Sequence, residues 1–303
     1  MAAALPAIPL PDWRPTKDTV HLWAQIVGKV RLKTVPPRNH WWHVPLYVTV
    51  DGLSTGRMHR DGTTFRIDLD LPHDRLRVRT LDGREDGFAL VDGLSVADFD
   101  ARLHAALSSL GVDTEIVETP FGVPMTTPFP EDTEHASYDA EAVRRYWAAL
   151  DFSHQVFEEF AGWSTIKTSP VHLYWHSFDL AVTRVSGRPG AATPEADPVT
   201  RQAYSHEVIS FGFWAGDDNI SEPAYYSYTA PEPAGLTEGA LPEGAAWAPQ
   251  GGMALMPYET VRTAADPRGA LLEFMQAAYV AGADAAGWDR AALASPHCPH
   301  PEG

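Results

Sequence analysis

Thr64-Phe65-Arg66-Ile67-Asp68-Leu69-Asp70-Leu71-Pro72-His73-Asp74-Arg75-Leu76-Arg77-Val78-Arg79 reads as two strands and a turn. Phe65, Ile67, Leu69 and Leu71 alternate with Thr64, Arg66, Asp68 and Asp70, and Leu76 and Val78 alternate with Arg75, Arg77 and Arg79. A period of two places the apolar side chains on one face of a strand. Pro72-His73-Asp74 makes a tight connection, so the two strands form a hairpin. Asp68 and Asp70 then face the three arginines, which assigns the basic row to cross-strand ion pairs rather than to a phosphate site.

The flanking sequence extends this pattern into helices and further strands. Thr16 can cap a helix to about Leu32, with Val20, Trp23, Ala24 and Val27 on one stripe and Leu22, Ile26 and Val30 on a second. Lys17, His21, Gln25 and Lys29 remain as a narrow polar seam, expected to face solvent or to border a cavity. Val44, Leu46, Val48 and Val50 form the apolar side of another strand, and Ser95 caps a helix closed by Gly111. The proline-rich stretch from Thr119 to Asp132 marks the boundary between two halves. Beyond it, Ser137 or Asp139 caps a helix to about Phe160, and strand-rich runs follow at Ser169 to Val185, Ala203 to Trp214 and Ala224 to Thr229. A short strand at Met253 to Tyr258 precedes a helix that opens at Asp266-Pro267.

The expected fold class is therefore α+β, with antiparallel sheets and packed helices, and the order helix-strands-helix occurring twice suggests a two-fold repeat. The halves span residues 1–125 and 126–294, and the Pro- and His-rich residues 295–303 read as a disordered tail.

Charge and cysteine usage narrow the function classes. Lys and Arg number 23 against 40 Asp and Glu, a formal net charge of -17, which disfavours nucleic acid and anionic membrane surfaces as partners. The N-terminus lacks the charged and apolar regions of a signal peptide, and no apolar run is long enough to span a bilayer. The single cysteine, Cys298, excludes internal disulfides, so a cytoplasmic protein is expected. Phosphate-loop, dinucleotide-turn, nucleophile-elbow and zinc-helix motifs are all missing from the sequence.

Chemistry-bearing residues concentrate in the second half. In Ser169-Pro-Val-His-Leu-Tyr-Trp-His-Ser-Phe-Asp-Leu180, alternation puts His172, Tyr174, His176 and Phe178 on one face and Val171, Leu173 and Trp175 on the other. Tyr204 and His206 share a face, as do Tyr226 and Tyr228. Neighbouring strands would gather these rings into a pocket wall with a few convergent polar groups. His172, His206 and Glu207 are drawn as a facial triad for Zn or Fe, although Glu207 alternates away from His206 unless a bulge intervenes. The cofactor otherwise stays unknown.

His172, His206, Glu207, His43 and His135 are the candidates for acid-base catalysis. Trp42, Tyr174, Trp175, Tyr204, Arg184, Lys17 and His21 are the candidates for holding substrate. Each has a structural alternative: Arg184 can pair with Asp179 inside a sheet, Trp42 can fill a helix-sheet gap, and the carboxylate at Glu134-His135 can serve as a cap.

The runs Thr16-Lys-Asp-Thr-Val-His-Leu-Trp-Ala-Gln-Ile-Val-Gly-Lys, Asn39-His-Trp-Trp-His-Val-Pro-Leu-Tyr-Val, Asp132-Thr-Glu-His-Ala-Ser-Tyr-Asp, Ser169-Pro-Val-His, Phe178-Asp-Leu-Ala-Val-Thr-Arg and Ala203-Tyr-Ser-His-Glu-Val carry a resemblance. The chain resembles the bacterial DUF5996 family, a domain of unknown function, from about Leu5 to Leu293. The resemblance implies one full-length family unit and supplies no activity, cofactor or catalytic residue. Lys17, His21, His43, His135, His172, His206 and Glu207 lie inside the shared runs. The expected function is an enzyme acting on a small organic molecule in a His/Trp/Tyr-lined pocket, by histidine acid-base or metal-assisted chemistry. The alternatives are a non-catalytic small-molecule binding or sensor protein and, behind it, a protein-interaction partner.

Overall fold

The fold is that of a computed structural model describing residues 4–190, 195–218 and 220–299. Helix α1 (Leu10–Thr34) starts six residues before the sequence expectation. Pro11 stands in its first turn, where a missing N–H leaves no bond unmade. Thr16, expected as the cap, lies inside the helix and accepts the Asp139 N–H with its hydroxyl.

The first sheet holds β1 (Tyr47–Thr49), β2 (Gly52–Ser54), β3 (Met58–Arg60), β4 (Thr63–Asp70), β5 (Arg75–Thr80) and β6 (Glu85–Ala89), in the order β1-β2-β4-β5-β6 with β3 paired to β4. All its pairings are antiparallel. In the β4–β5 hairpin Asp68 faces Arg77 and Asp70 faces Arg75. Asp68 pairs with Arg79 at 2.8 Å and Arg66 at 3.0 Å, and Asp70 with Arg77 at 3.4 Å. Arg77 and Arg79 of the basic row are thus engaged within the sheet, while Arg75 is exposed. The strand expected from Val44 to Val50 shrinks to β1, because Asn39–Trp41 turns as a short 3-10 helix and Val50 lies 90% exposed in the following turn.

Helix α2 (Val96–Ser109) is capped by Ser95, whose hydroxyl accepts the Asp98 N–H. It lays Phe99 against Trp23 of α1 and Phe88 of β6. Helix α3 (Ala140–Ala161), capped by Asp139, opens the second half. Then come β7 (Lys167–Thr168), β8 (His172–Tyr174), β9 (Asp179–Pro189), α4 (Pro198–Ala203), β10 (His206–Trp214), β11 (Ala224–Ala230), β12 (Ala246–Trp247), β13 (Ala254–Pro257), α5 (Tyr258–Arg262), α6 (Pro267–Ala285) and α7 (Arg290–Leu293). The second sheet runs β12-β13-β11-β10-β9-β7, with β8 also on β9, and it too is antiparallel. The architecture is α+β. The two-fold repeat is not confirmed.

Among the contacts that join the halves, two lie beside β8. Leu46 and Leu173 exchange backbone hydrogen bonds of 2.8 and 2.7 Å, which sets β1 beside β8. Trp175 donates its indole N–H to the Val44 carbonyl at 3.0 Å and lays its ring on Gly28 of α1. One continuous buried cluster consequently runs from Ile8 through Leu46, Phe99 and Phe160 to Trp288. Of the tail read as disordered, Ser295 donates its backbone N–H to Trp163 and Cys298 packs against the core, while residues 300–303 lie outside the described ones.

Gly28 gives the first prediction. Alanine normally gains about 1 kcal/mol over glycine in a helix. Here a Cβ at Gly28 would meet the Trp175 ring at 2.2 Å. Overpacking of that kind costs about 1–3 kcal/mol, so Gly28→Ala is expected to lower the unfolding free energy in urea by about 2 kcal/mol. A stabilised variant would contradict the packing.

Candidate functional site

Strand register divides the second sheet into two faces of different character. Leu180, Val182, Arg184, Ile209, Phe211, Phe213 and Tyr225 are buried, and the set packs on α3 and α6, with Phe160 against Phe211 and Ser153 bonded to the Tyr225 hydroxyl. On the other face His172 stands opposite Ala181, Tyr174 opposite Asp179, Thr183 opposite Ser210, Ser210 opposite Tyr228 and Gly212 opposite Tyr226. Small residues at Ala181, Thr183, Ser210 and Gly212 form a floor, and rings stand around it.

Those rings close a circuit. The Trp42 indole faces the Tyr174 hydroxyl. Trp42 packs on His40 at 5.0 Å, and His40 meets His206 edge-on at 5.7 Å. Two residues before His206, the Tyr204 hydroxyl is 3.2 Å from that of Tyr228, which stacks on Tyr226. Tyr226 lies across Gly212, where any Cβ would collide with its ring, and donates to Asp179. Asp179 pairs with Tyr174 across β9 and β8. Tyr174, Tyr204, His206, Tyr226, Tyr228 and Trp42 are all half-buried, so the circuit borders solvent.

Burial sets the protonation states. Desolvation raises the phenols of Tyr174, Tyr226 and Tyr228 above their usual range, with Asp179 adding to the first two. They remain hydrogen-bond donors at neutral pH. Desolvation lowers His40, His43 and His176, and Asp179 opposes it at His176.

The remaining sequence candidates lie elsewhere. A bulge does fall between His206 and Val208, yet it sends Glu207 to Arg188, Ser186 and the Trp288 indole at the sheet edge. The triad His172, His206 and Glu207 therefore does not assemble. Among the described residues no group of three His, Cys, Asp or Glu is placed to hold a metal ion. His135 bonds Asp132 at 2.8 Å in the loop that meets the start of α2. His43 is buried against Trp41 and accepts the Arg38 N–H.

Arg184 lies on the helix-covered face, between Phe160 and Tyr279, with a bond to the Phe160 carbonyl. Asp179 faces the other way, so no Asp179–Arg184 pair forms. Trp175 also points away from the circuit, onto α1.

Lys17 and His21 belong to the polar seam of α1, which is buried rather than at solvent. His21 meets the His176 carbonyl, Gln25 bonds both backbone groups of Phe121, and Lys29 donates to Thr119. The proline-rich stretch expected as a boundary thus straps the helix.

Sequence reasoning noticed Tyr226 and Tyr228 and the Asn39-His40-Trp41-Trp42-His43 stretch, but left His40 out of the candidates and missed both Asp179 as the partner of Tyr226 and Arg31. Arg31 is buried at the last turn of α1, bonded to Thr55 and Tyr47. A cavity of about 1230 Å³ lies away from the circuit, between α6 and the loop at Gly235 to Ala240. It has neither histidine nor tyrosine in its lining, and its Glu159 and Asp284 are held by Arg268 and Arg290.

His21 and His172 supply a pH prediction. Burial, helped by Lys17 and Arg31 respectively, holds each at about 3 against the usual 6.5. Below pH 6.5 the unfolded chain takes up protons that the folded chain refuses until about 3. Stability therefore falls with falling pH through that window, by up to about 1.4 kcal/mol per pH unit for each histidine. His172→Phe is expected to flatten the dependence of unfolding free energy on pH between about pH 6 and 4 by that amount. An unchanged slope in urea titrations would show that His172 is not held neutral.

Comparison with known proteins adds one finding. A family model described as "Family of unknown function (DUF5996)" matches residues 5–295. Neither the curated proteins nor the solved structures give a match. With nearly its whole length matched, the chain belongs to the DUF5996 family.

Proposed function

We propose that the chain is an enzyme acting on a small ring-bearing organic molecule held within the circuit of Trp42, His40, His206, Tyr204, Tyr228, Tyr226 and Tyr174. The observation that carries this reading is the Tyr226–Asp179 bond laid over Gly212 on a half-buried, ring-lined face. Aromatic walls with a few polar groups suit a planar ligand. A carboxylate beside a phenol and an imidazole suits proton transfer.

In this reading Asp179 and His206 exchange protons with the ligand. Tyr174, kept protonated, donates a hydrogen bond to oxygen that gains charge, while Tyr226 spends its one O–H on holding Asp179 in place. Trp42 and Tyr228 supply stacking surface. The chemistry of this reading is acid-base; among the described residues His172, His206 and Glu207, the ligand set drawn for Zn or Fe, do not come together.

The test is a panel of ring-bearing metabolites screened by saturation-transfer NMR, with turnover followed by mass spectrometry. Trp42→Ala is expected to weaken binding about tenfold, from the loss of a stacked ring worth about 1 kcal/mol or more. Asp179→Asn is expected to keep binding and to lower turnover by about 10²–10⁴, the usual contribution of a positioned acid or base. Binding that ignores Trp42→Ala would move the site elsewhere. A compound bound but never converted would make the protein a binding or sensor protein instead.

A further inference from the structure

Among the described residues three cations are buried without a carboxylate beside them: Lys29, Arg31 and Arg184. A buried charge left unpaired costs several kcal/mol, and a guanidinium cannot escape by losing its proton. Each cation is therefore compensated in some other way. Arg184 lies between the Phe160 ring at 3.9 Å and the Tyr279 ring at 4.3 Å, and it donates to a carbonyl at 2.7 Å. Lys29 donates to the Thr119 carbonyl at 2.7 Å and has Phe129 and Trp175 within 6.0 Å.

Arg31 donates from its guanidinium to the Thr55 carbonyl and, at 3.4 Å, to the Tyr47 hydroxyl, and its Cζ lies 5.2 Å from the Tyr47 ring, while its Nε meets no acceptor among the described residues. The last-turn carbonyls of α1 add a partial negative charge. Around it stand Tyr47, His43, His172 and a second cation, Arg38, whose charge adds to the cost of burying the guanidinium.

His172 shows the complementary want. It is 0% exposed, and neither ring nitrogen has a protein partner among the described residues. Buried polar atoms are nearly always hydrogen-bonded. The N–H nitrogen of neutral His172 and the Nε of Arg31 both lack an acceptor among the described residues, and Tyr47 touches both side chains, which points to one missing partner for the two donors. That partner must accept hydrogen bonds and carry negative charge. His172 meets Tyr174 edge-on at 4.8 Å and Tyr47 at 6.3 Å, and both tyrosines are half-buried. Tyr174 is also a member of the ring circuit, so the polar pair lies next to it.

We infer that Arg31 and His172 form the seat for the carboxylate, or an equivalent oxyanion, of the ring-bearing molecule proposed above. The inference rests on that reading for its aromatic part only. A carboxylate there accepts from Arg31 Nε and from the N–H of neutral His172 in charge-assisted bonds. An aromatic acid is the ligand class selected: its ring occupies the circuit, and its acid group reaches inward past Tyr47 and Tyr174.

The experiment is isothermal titration calorimetry with sodium benzoate, benzamide and sodium acetate on the wild-type protein, Arg31→Gln and Arg31→Lys. Benzoate is expected to bind at least about tenfold more tightly than benzamide, the scale of one charge-assisted bond. Arg31→Gln should erase that preference, and Arg31→Lys should restore part of it. Because replacing a buried arginine can unfold the chain, the Arg31 Nε resonance of ¹⁵N-labelled wild-type protein gives a second readout. It should shift on saturation with benzoate and stay fixed with benzamide. Benzoate binding no more tightly than benzamide, or leaving that resonance unmoved, overturns the seat. Acetate that binds through Arg31 as tightly as benzoate upholds the seat while removing the ring circuit. Benzamide and benzoate that bind equally and depend on Trp42 uphold the circuit and remove the seat.

Discussion

Burial of α1 on nearly every side is the constraint from which the rest of the fold follows. A helix so enclosed has no solvent to satisfy a polar seam, and a buried polar group without a partner costs about 1–3 kcal/mol. Lys17, His21, Gln25 and Lys29 therefore need acceptors supplied by the chain itself. Gln25 donates to the Phe121 carbonyl and accepts the Phe121 N–H, Lys29 donates to the Thr119 carbonyl, and His21 meets the His176 carbonyl. What looks in composition like a linker becomes a strap, and the helix is held between both halves. Trp175 fixes the opposite side by occupying the space that a side chain at Gly28 would fill.

Local signals in the sequence were legible and long-range ones were not. The β4–β5 hairpin and the caps at Ser95, Asp139 and Asp266 depend on residues within a few positions, so alternation and cap chemistry find them. The seam of α1 was read as open to solvent or a cavity because charged residues are usually exposed. Its covering segment lies about 90 residues away in the chain, beyond the reach of periodicity. Alternation was right to set Glu207 against His206, and the bulge between His206 and Val208 did not rescue the triad. Arg31 escaped notice because a single basic residue in a last helical turn is ordinary. Its burial, and the absence of a carboxylate beside it, appear only when Thr55, Tyr47 and His172 are brought around it.

The circuit of rings belongs to neither half alone. His40 and Trp42 come from the turn before β1, while Tyr174, His206, Tyr226 and Tyr228 come from the second sheet. Arg31 likewise comes from α1 and His172 from β8. The Leu46–Leu173 hydrogen bonds set the distance between these groups, because they tie the chain just past Trp42 to the middle of β8. His40 reaches its place through a left-handed backbone, φ 56°, and its ring bonds the Ala203 carbonyl at the end of α4. Such a conformation is uncommon outside glycine and persists when surrounding contacts fix it. The turn that carries His40 and Trp42 is thereby anchored to both sheets, and the polar rings of the site are aligned by the same bonds that join the two halves.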